Sequence, residues 1–193
     1  MLGLKLPTDP RWVNIVEKNI EEILTDHAYC EQKAASNAIT VIVKFPMYPD
    51  VVEAMAELVK EEIEHFQMVH QELVKRGLKL GFERKDEYIH DLLAFQRKGG
   101  GREQQFVEKM LFGAMIEARS CERFRLLSEK LTDPDLRVFY RKLMESEARH
   151  YMMFLNFAKK YATTIDVDHR WKEFLEYEGG LMNKYGKKDT IHG

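Results

Sequence analysis

Apolar residues recur along most of this chain at intervals of three, four and seven, the spacing that lays them on one face of an α-helix. Four such stretches run with little interruption, roughly Asp9 to Phe45, Pro49 to Arg76, Arg102 to Leu131 and Asp133 to Tyr161. Punctuation falls between them, with prolines at 7, 10, 46, 49 and 134 and glycines clustered at 77, 81, 99–101 and 179–180. The first two stretches are joined by FPMYPD and the last two by TDPD, connections short enough to make their helices antiparallel neighbours. A longer connection, residues 77–101, separates the pairs and carries a short helical pattern over DEYIHDLLAF. A last amphipathic stretch around HRWKEFLEYE is expected to pack outside the four long helices.

Hairpin, long crossover, hairpin is the layout of an all-α, ferritin-like four-helix bundle. At 193 residues the expectation is a single domain over 1–193. A net charge of −2 gives no global attraction for nucleic acid or membrane, so an RNA site would have to be a local basic patch. The two cysteines, Cys30 and Cys121, fit no zinc spacing and suit a reduced compartment. No apolar run has membrane-spanning length and the start MLGLKLPTDPRW lacks signal-peptide features, so a cytoplasmic protein with no membrane role is expected.

The chemistry is found by asking which acids break the apolar faces. Glu147 shares its helix face with Tyr140, Leu143, Met144, His150, Tyr151 and Phe154, and Glu62 shares its own with Met55, Leu58, Val59, His65, Phe66 and Val69. Both acids point inward, each with a His three residues later. On the first helix Glu31 is flanked by small and apolar residues (Leu24, Ala28, Ala34, Ala35 and Ala38) and by His27. On the third, Glu117 lies among Met110, Gly113, Ala114, Ser120, Cys121 and Phe124. Carboxylates buried without compensation are costly, and a metal cation removes the cost. Two Glu plus two Glu-x-x-His pairs form the donor inventory of a di-iron or di-manganese bundle.

Depth along the helices tests this inventory, since each residue rises about 1.5 Å. Glu31 lies about as far before the first turn as Glu62 and His65 lie after it. On the second hairpin Glu117 and Glu122 compete. The count to TDPD favours Glu117, and Glu122 shares a face with Arg119, Arg125 and Glu129, as a surface residue or one behind the ligands would. Against that, the echo between YCEQKA and SCERFR would align Glu31 with Glu122. His27 is either an orienting partner of Glu31 or an ordinary core histidine. A third Glu-x-x-His, Glu87 to His90, sits among charged neighbours and reads as solvated. A ferritin- or rubrerythrin-like iron or peroxide protein would share the ligands, though no CxxC module accompanies them here. In a metal-free interaction module the six residues would instead be mutual hydrogen-bonding partners.

The segments DHAYCEQKAASNAI, EEIEHF, IEARSCERF and ESEARHYMMF together resemble the MiaE family of ferritin-like di-iron tRNA hydroxylases, over about residues 8–180. The resemblance implies Glu31, Glu62, His65, Glu117, Glu147 and His150 as ligands of two iron ions. It implies O2-dependent hydroxylation of the isopentenyl chain of a (2-methylthio-)N6-isopentenyl-adenosine next to the tRNA anticodon. The chain has no flavin or iron–sulfur motif, so two electrons must come from a separate ferredoxin or reductase. Candidate tRNA contacts are the basic clusters of the crossover: Lys75, Arg76 and Lys79, then Arg84 and Lys85, then Arg97, Lys98 and Arg102 in QRKGGGR. The tail NKYGKKDTIHG lies beyond the matching segments.

Overall fold

The computed structural model describes residues 2–192. Among them the regular elements are all α-helices: α1 (Trp12–Lys18), α2 (Ile20–Lys44), α3 (Pro49–Lys75), α4 (Glu87–Phe95), α5 (Arg102–Lys130), α6 (Pro134–Tyr161) and α7 (Val167–Tyr185). None of them is long and apolar enough to cross a membrane. Local chemistry starts the helices where the sequence signals do. Asp86, Asp133 and Asp166 cap α4, α6 and α7, each accepting from a backbone N–H of the first turn. Pro49 and Pro134 occupy first-turn positions where no donor is lost. Gly77, at φ +69°, ends α3, with its N–H on the Val74 carbonyl and that of Leu78 on the Leu73 carbonyl.

The expected first helix is two. Asn19, at φ −132° and ψ 42°, interrupts it. The chain divides into two compact units, and the break falls where it passes from one to the other. The buried residues of α1, Trp12, Val13 and Val16, belong to the larger unit, whereas α2 lies wholly in the smaller. Apolar periodicity runs through both segments and cannot show that they serve different cores.

The smaller unit comprises Lys18–Lys85 and Asp189–Ile191. Its frame is the α2/α3 hairpin, closed on Ile23, Leu24, Ala28, Ala35, Ala38, Val41, Val51, Met55, Leu58, Val69 and Leu73. The loop after α3 folds back along α2. Lys79 N–H donates to Glu21 Oε1 (3.0 Å), Gly81 N–H to Thr25 Oγ1 (3.2 Å) and Tyr29 Oη to the Gly81 carbonyl (3.0 Å), while Lys33 pairs with Glu83 (3.0 Å). Glu21, Thr25, Tyr29 and Lys33 are successive steps of four, one stripe of the helix. Near the C-terminus, Ile191 N–H donates to Asp26 Oδ2 (2.7 Å) and Asp189 pairs with Arg84 (3.0 Å).

The larger unit contains α1, the α5/α6 hairpin, α4 and α7. From Phe106 to Ser128 α5 is buried on almost every face, and that stretch includes Glu108, Glu117, Arg119, Glu122 and Arg123. The last helix does more than cover the hairpin. It packs on α4 and α5, supplying Arg170, whose Nε and Nη2 donate to Glu108 (2.7 and 2.8 Å), and Glu178, which accepts from Arg119 (2.7 and 2.9 Å). α5 lies tight against α6 at Gly113, where an added Cβ would lie 2.9 Å from the Phe154 ring. Gly113→Ala must push that buried ring aside, so it should lower stability by roughly 1–3 kcal/mol, the usual cost of overpacking. Equilibrium urea unfolding would measure it, and an unchanged midpoint would show that Phe154 yields freely.

Candidate metal centre

Each hairpin gathers one acid-and-imidazole triad. In the smaller unit Glu31 comes from α2, and Glu62 and His65 from α3, all buried, with one potential ligand atom from each lying within 4.8 Å of the others. His65 Nδ1 lies 3.2 Å from Glu62 Oε2, and the fully buried His27 is bonded through Nε2 to Glu31 Oε1 at 2.7 Å. In the larger unit Glu117 comes from α5, and Glu147 and His150 from α6. These are again buried, with potential ligand atoms within 4.8 Å of one another, and His150 Nδ1 is 4.0 Å from Glu147 Oε1. The three-residue spacing of each Glu-x-x-His places both side chains over one turn. The buried residues that share their helix faces are small or apolar: Leu24, Ala28, Ala35 and Ala38 with Glu31, Met110, Ala114 and Phe124 with Glu117, and Leu143 and Phe154 with Glu147.

Glu122 is not a surface residue. It is buried, and its carboxylate accepts from Thr8 N–H (3.1 Å), Thr8 Oγ1 (2.6 Å) and Arg119 Nη1 (2.9 Å). Arg119 also donates to Glu178 and to the Leu6 carbonyl (2.9 Å), and Tyr88 Oη donates to Glu178 (3.3 Å). Burial, with the Glu178 charge beside it, raises the Tyr88 phenol well above its ordinary range. Arg123 stacks over the Trp12 ring at 4.2 Å, and burial next to Arg119 brings its pKa down to about 10. Sequence reasoning missed this lattice, because its partners come from residues 6–8, Tyr88 and α7. The available signal was EARSCERF, four charges on a helix otherwise rich in core residues.

The basic clusters change most. Lys75 and Arg76 both pair with Glu72, Arg84 pairs with Asp189, and Arg97 pairs with Glu173 at 2.8 Å. Lys79, Lys85, Lys98 and Arg102 are exposed and form no ion pair among the described residues. His90 of the third Glu-x-x-His is exposed, and Glu87 pairs with Lys188 (2.8 Å). Near the chain end, His192 Nε2 lies 3.0 Å from Ser120 Oγ and its Nδ1 3.7 Å from Asp86. The order suggests a nucleophile, base and orienter, but the second distance is too long for a hydrogen bond and all three side chains are buried, so the cluster anchors the tail.

Helical hairpins that each carry an inward Glu and a Glu-x-x-His pair define the ferritin-like carboxylate class, and the fold agrees. A solved structure described as protein 43 with aldehyde deformylating oxygenase activity from Synechococcus matches 98% of this chain and 95% of its own, with a TM-score of 0.88 and 31% identity. The family model described as tRNA-(MS[2]IO[6]A)-hydroxylase (MiaE) matches residues 2–193, and the chain belongs to that family. The match takes in the tail that the sequence motifs left out. Two curated relatives are named tRNA 2-(methylsulfanyl)-N(6)-isopentenyladenosine(37) hydroxylase. The one from Pseudomonas putida is 36% identical over 85% of this chain and 78% of its own length, and the one from Salmonella typhimurium 28% over 98% and 87%.

Cys121, one residue before Glu122, is held protonated, its thiol pushed up to about 11 by burial and then by the Glu147 charge. Below pH 9 the thiolate is scarce, and the side chain also lacks access. In metal-free folded protein, iodoacetamide at pH 8 should therefore label Cys30, which is half-buried, well before Cys121. Peptide mass spectrometry would read the order, and equal labelling of the two would contradict the described environment.

Proposed function

We propose that this chain is an O2-dependent non-haem di-iron monooxygenase that hydroxylates the isopentenyl side chain of (2-methylthio-)N6-isopentenyl-adenosine next to the tRNA anticodon. The observation that carries the reading is the pair of buried triads, each one Glu plus one Glu-x-x-His, in a chain of the MiaE family. The donor chemistry fits iron. Each triad offers two carboxylates and one imidazole, a hard and borderline set without thiolate, and a bound cation would compensate acids that are otherwise expensive to bury. Glu31, Glu62 and His65 would supply three of the ligands, and Glu117, Glu147 and His150 the other three.

Bound iron would supply the activation of dioxygen. The protein's own residues do the rest. His27 fixes one oxygen of Glu31, limiting how that carboxylate can swing. His65 Nδ1 lies 3.2 Å from Glu62 Oε2, so imidazole and carboxylate stand side by side where one cation could take both. Leucine, alanine, methionine and phenylalanine walls keep water from the acids and suit an aliphatic prenyl chain. One oxygen atom enters a C–H bond of that chain and the other leaves as water. The balance requires two electrons and two protons from outside, hence a ferredoxin or reductase partner. The setting would be the cytoplasm, where tRNA and such donors are found. Of the basic residues near the GGG turn, Arg97 is committed to Glu173, so Lys98 and Arg102 are the stronger candidates for phosphate contacts.

The reading is tested by loading the protein with iron(II) and supplying reductant, O2 and isopentenylated tRNA. Mass spectrometry of the nucleosides should show the gain of one oxygen atom on the prenylated adenosine. A long-chain aldehyde is the competing substrate, given the activity of the Synechococcus protein. Turnover of the aldehyde with untouched tRNA would sink the proposal. The ligand assignment has its own check. Glu117→Ala should reduce iron from about two per chain toward one or none, as a carboxylate bundle requires. Glu122→Ala should keep the iron but lose stability, because it strips a partner from buried Arg119. The opposite pattern would make Glu122 the ligand.

A further inference from the structure

The loop after α3 presents a side chain that the metal chemistry does not use. Phe82 is 96% exposed, and among the described residues 75–92 it is the one large apolar side chain in that state. An exposed phenylalanine on a slack loop would fold back onto nearby apolar surface. This loop cannot, because residues 79, 81 and 83 are bonded to the Glu21, Thr25, Tyr29 and Lys33 stripe of α2, and Arg84 is tied to Asp189. Gly81 lies close against Thr25, where a Cβ would touch its methyl at 3.4 Å, so the chain is pressed to the helix next to Phe82. The exposure is built in.

The charges around the ring are sorted by the same bonds. Glu83 is neutralised by Lys33 and Arg84 by Asp189, which leaves Lys79 and Lys85, both exposed and without an ion pair among the described residues, on either side of Phe82. A single exposed ring with an exposed lysine three residues before it and another three after it differs from a protein-docking surface, whose anchoring aromatics sit within a contiguous apolar patch. It matches what a single-stranded nucleic acid offers, a base face to stack and a phosphate on each side.

Resting on the tRNA reading above, we propose that Phe82 is the stacking platform for an unpaired base of the anticodon loop, with Lys79 and Lys85 on the flanking phosphates. Tyr29 and Lys33 bracket Glu31 in height along α2, but two residues along a helix is a turn of about 200°. The ring therefore stands level with Glu31 on the opposite flank, and suits a base neighbouring the modified one rather than the modified base itself.

The test uses full-length protein and a prenylated anticodon stem–loop RNA. Phe82→Ala should bind it roughly 5- to 150-fold more weakly, the loss expected for one base–aromatic stack, with iron per chain unchanged. Phe82→Trp should restore binding, whereas Phe82→Leu, apolar but without a flat ring, should not. Lys79→Ala with Lys85→Ala should flatten the salt dependence of log Kd by about 0.7 per lysine. Wild-type affinity in Phe82→Ala would overturn this assignment alone. So would unchanged RNA affinity with a loss confined to turnover driven by a protein reductase, which would make Phe82 a protein-docking residue. Failure of the wild type to bind the stem–loop would overturn this and the tRNA reading together.

Discussion

Burying carboxylates inside packed helices is the constraint from which most of this structure follows. A desolvated charge must be met by an opposite charge, by several donors or by a cation. α5 carries five buried charges, and the rest of the larger unit is arranged to meet them. α7 brings Arg170 to Glu108 and Glu178 to Arg119, the segment before α1 brings Thr8 to Glu122 and the Leu6 carbonyl to Arg119, and α1 lays Trp12 under Arg123. Elements that periodicity alone would treat as covering pieces are thus electrostatic partners of the central helix. Glu117 lies in a different company, with Glu147 and His150, one potential ligand atom from each lying within 4.8 Å of the others.

The same accounting separates two kinds of buried acid that look alike in sequence. Glu117 and Glu122 are five residues apart on one helix and both are buried. Glu122 has two donors from Thr8 and one from Arg119, so it needs no metal. EARSCERF thus divides in two: Glu117 joins the triad, and Glu122, Arg119 and Arg123 join the network of charges and hydrogen bonds that secures the helix. His27 plays a comparable part on α2, holding Glu31 where a loose carboxylate could rotate.

On the surface, ion pairing decides which cations have charge to spare. Several lysines and arginines of the crossover are adjacent in sequence, yet Lys75, Arg76, Arg84 and Arg97 are all spent on acids from the same helix or from distant segments. A basic cluster in sequence overstates the positive surface available to a phosphate backbone. The remaining lysines gain meaning from what stands beside them in the chain, and for Lys79 and Lys85 that is an exposed aromatic ring on a loop tied to α2.

The four long helices, the two antiparallel hairpins, the crossover and its short helix were legible in the sequence, because 3.6-residue periodicity, aspartate caps and proline placement are local properties. So was the inventory of inward acids and imidazoles, since residues three or four apart share a helix face whatever the fold around them. The interruption at Asn19 was not legible, because nothing in the periodicity of α1 and α2 says that they bury their faces in different units. Nor were the surroundings of Glu122, the anchoring of the tail through His192 and Ile191, or the neutralisation of the basic clusters. Apart from Lys75 and Arg76, whose partner Glu72 is three and four residues away, each of these depends on partners some tens of residues or more than a hundred residues away in the chain. Sequence by itself determined which side chains face inward on each helix; tertiary structure decided which of them meet, because burial is a property of a face but compensation of charge is a property of a pair.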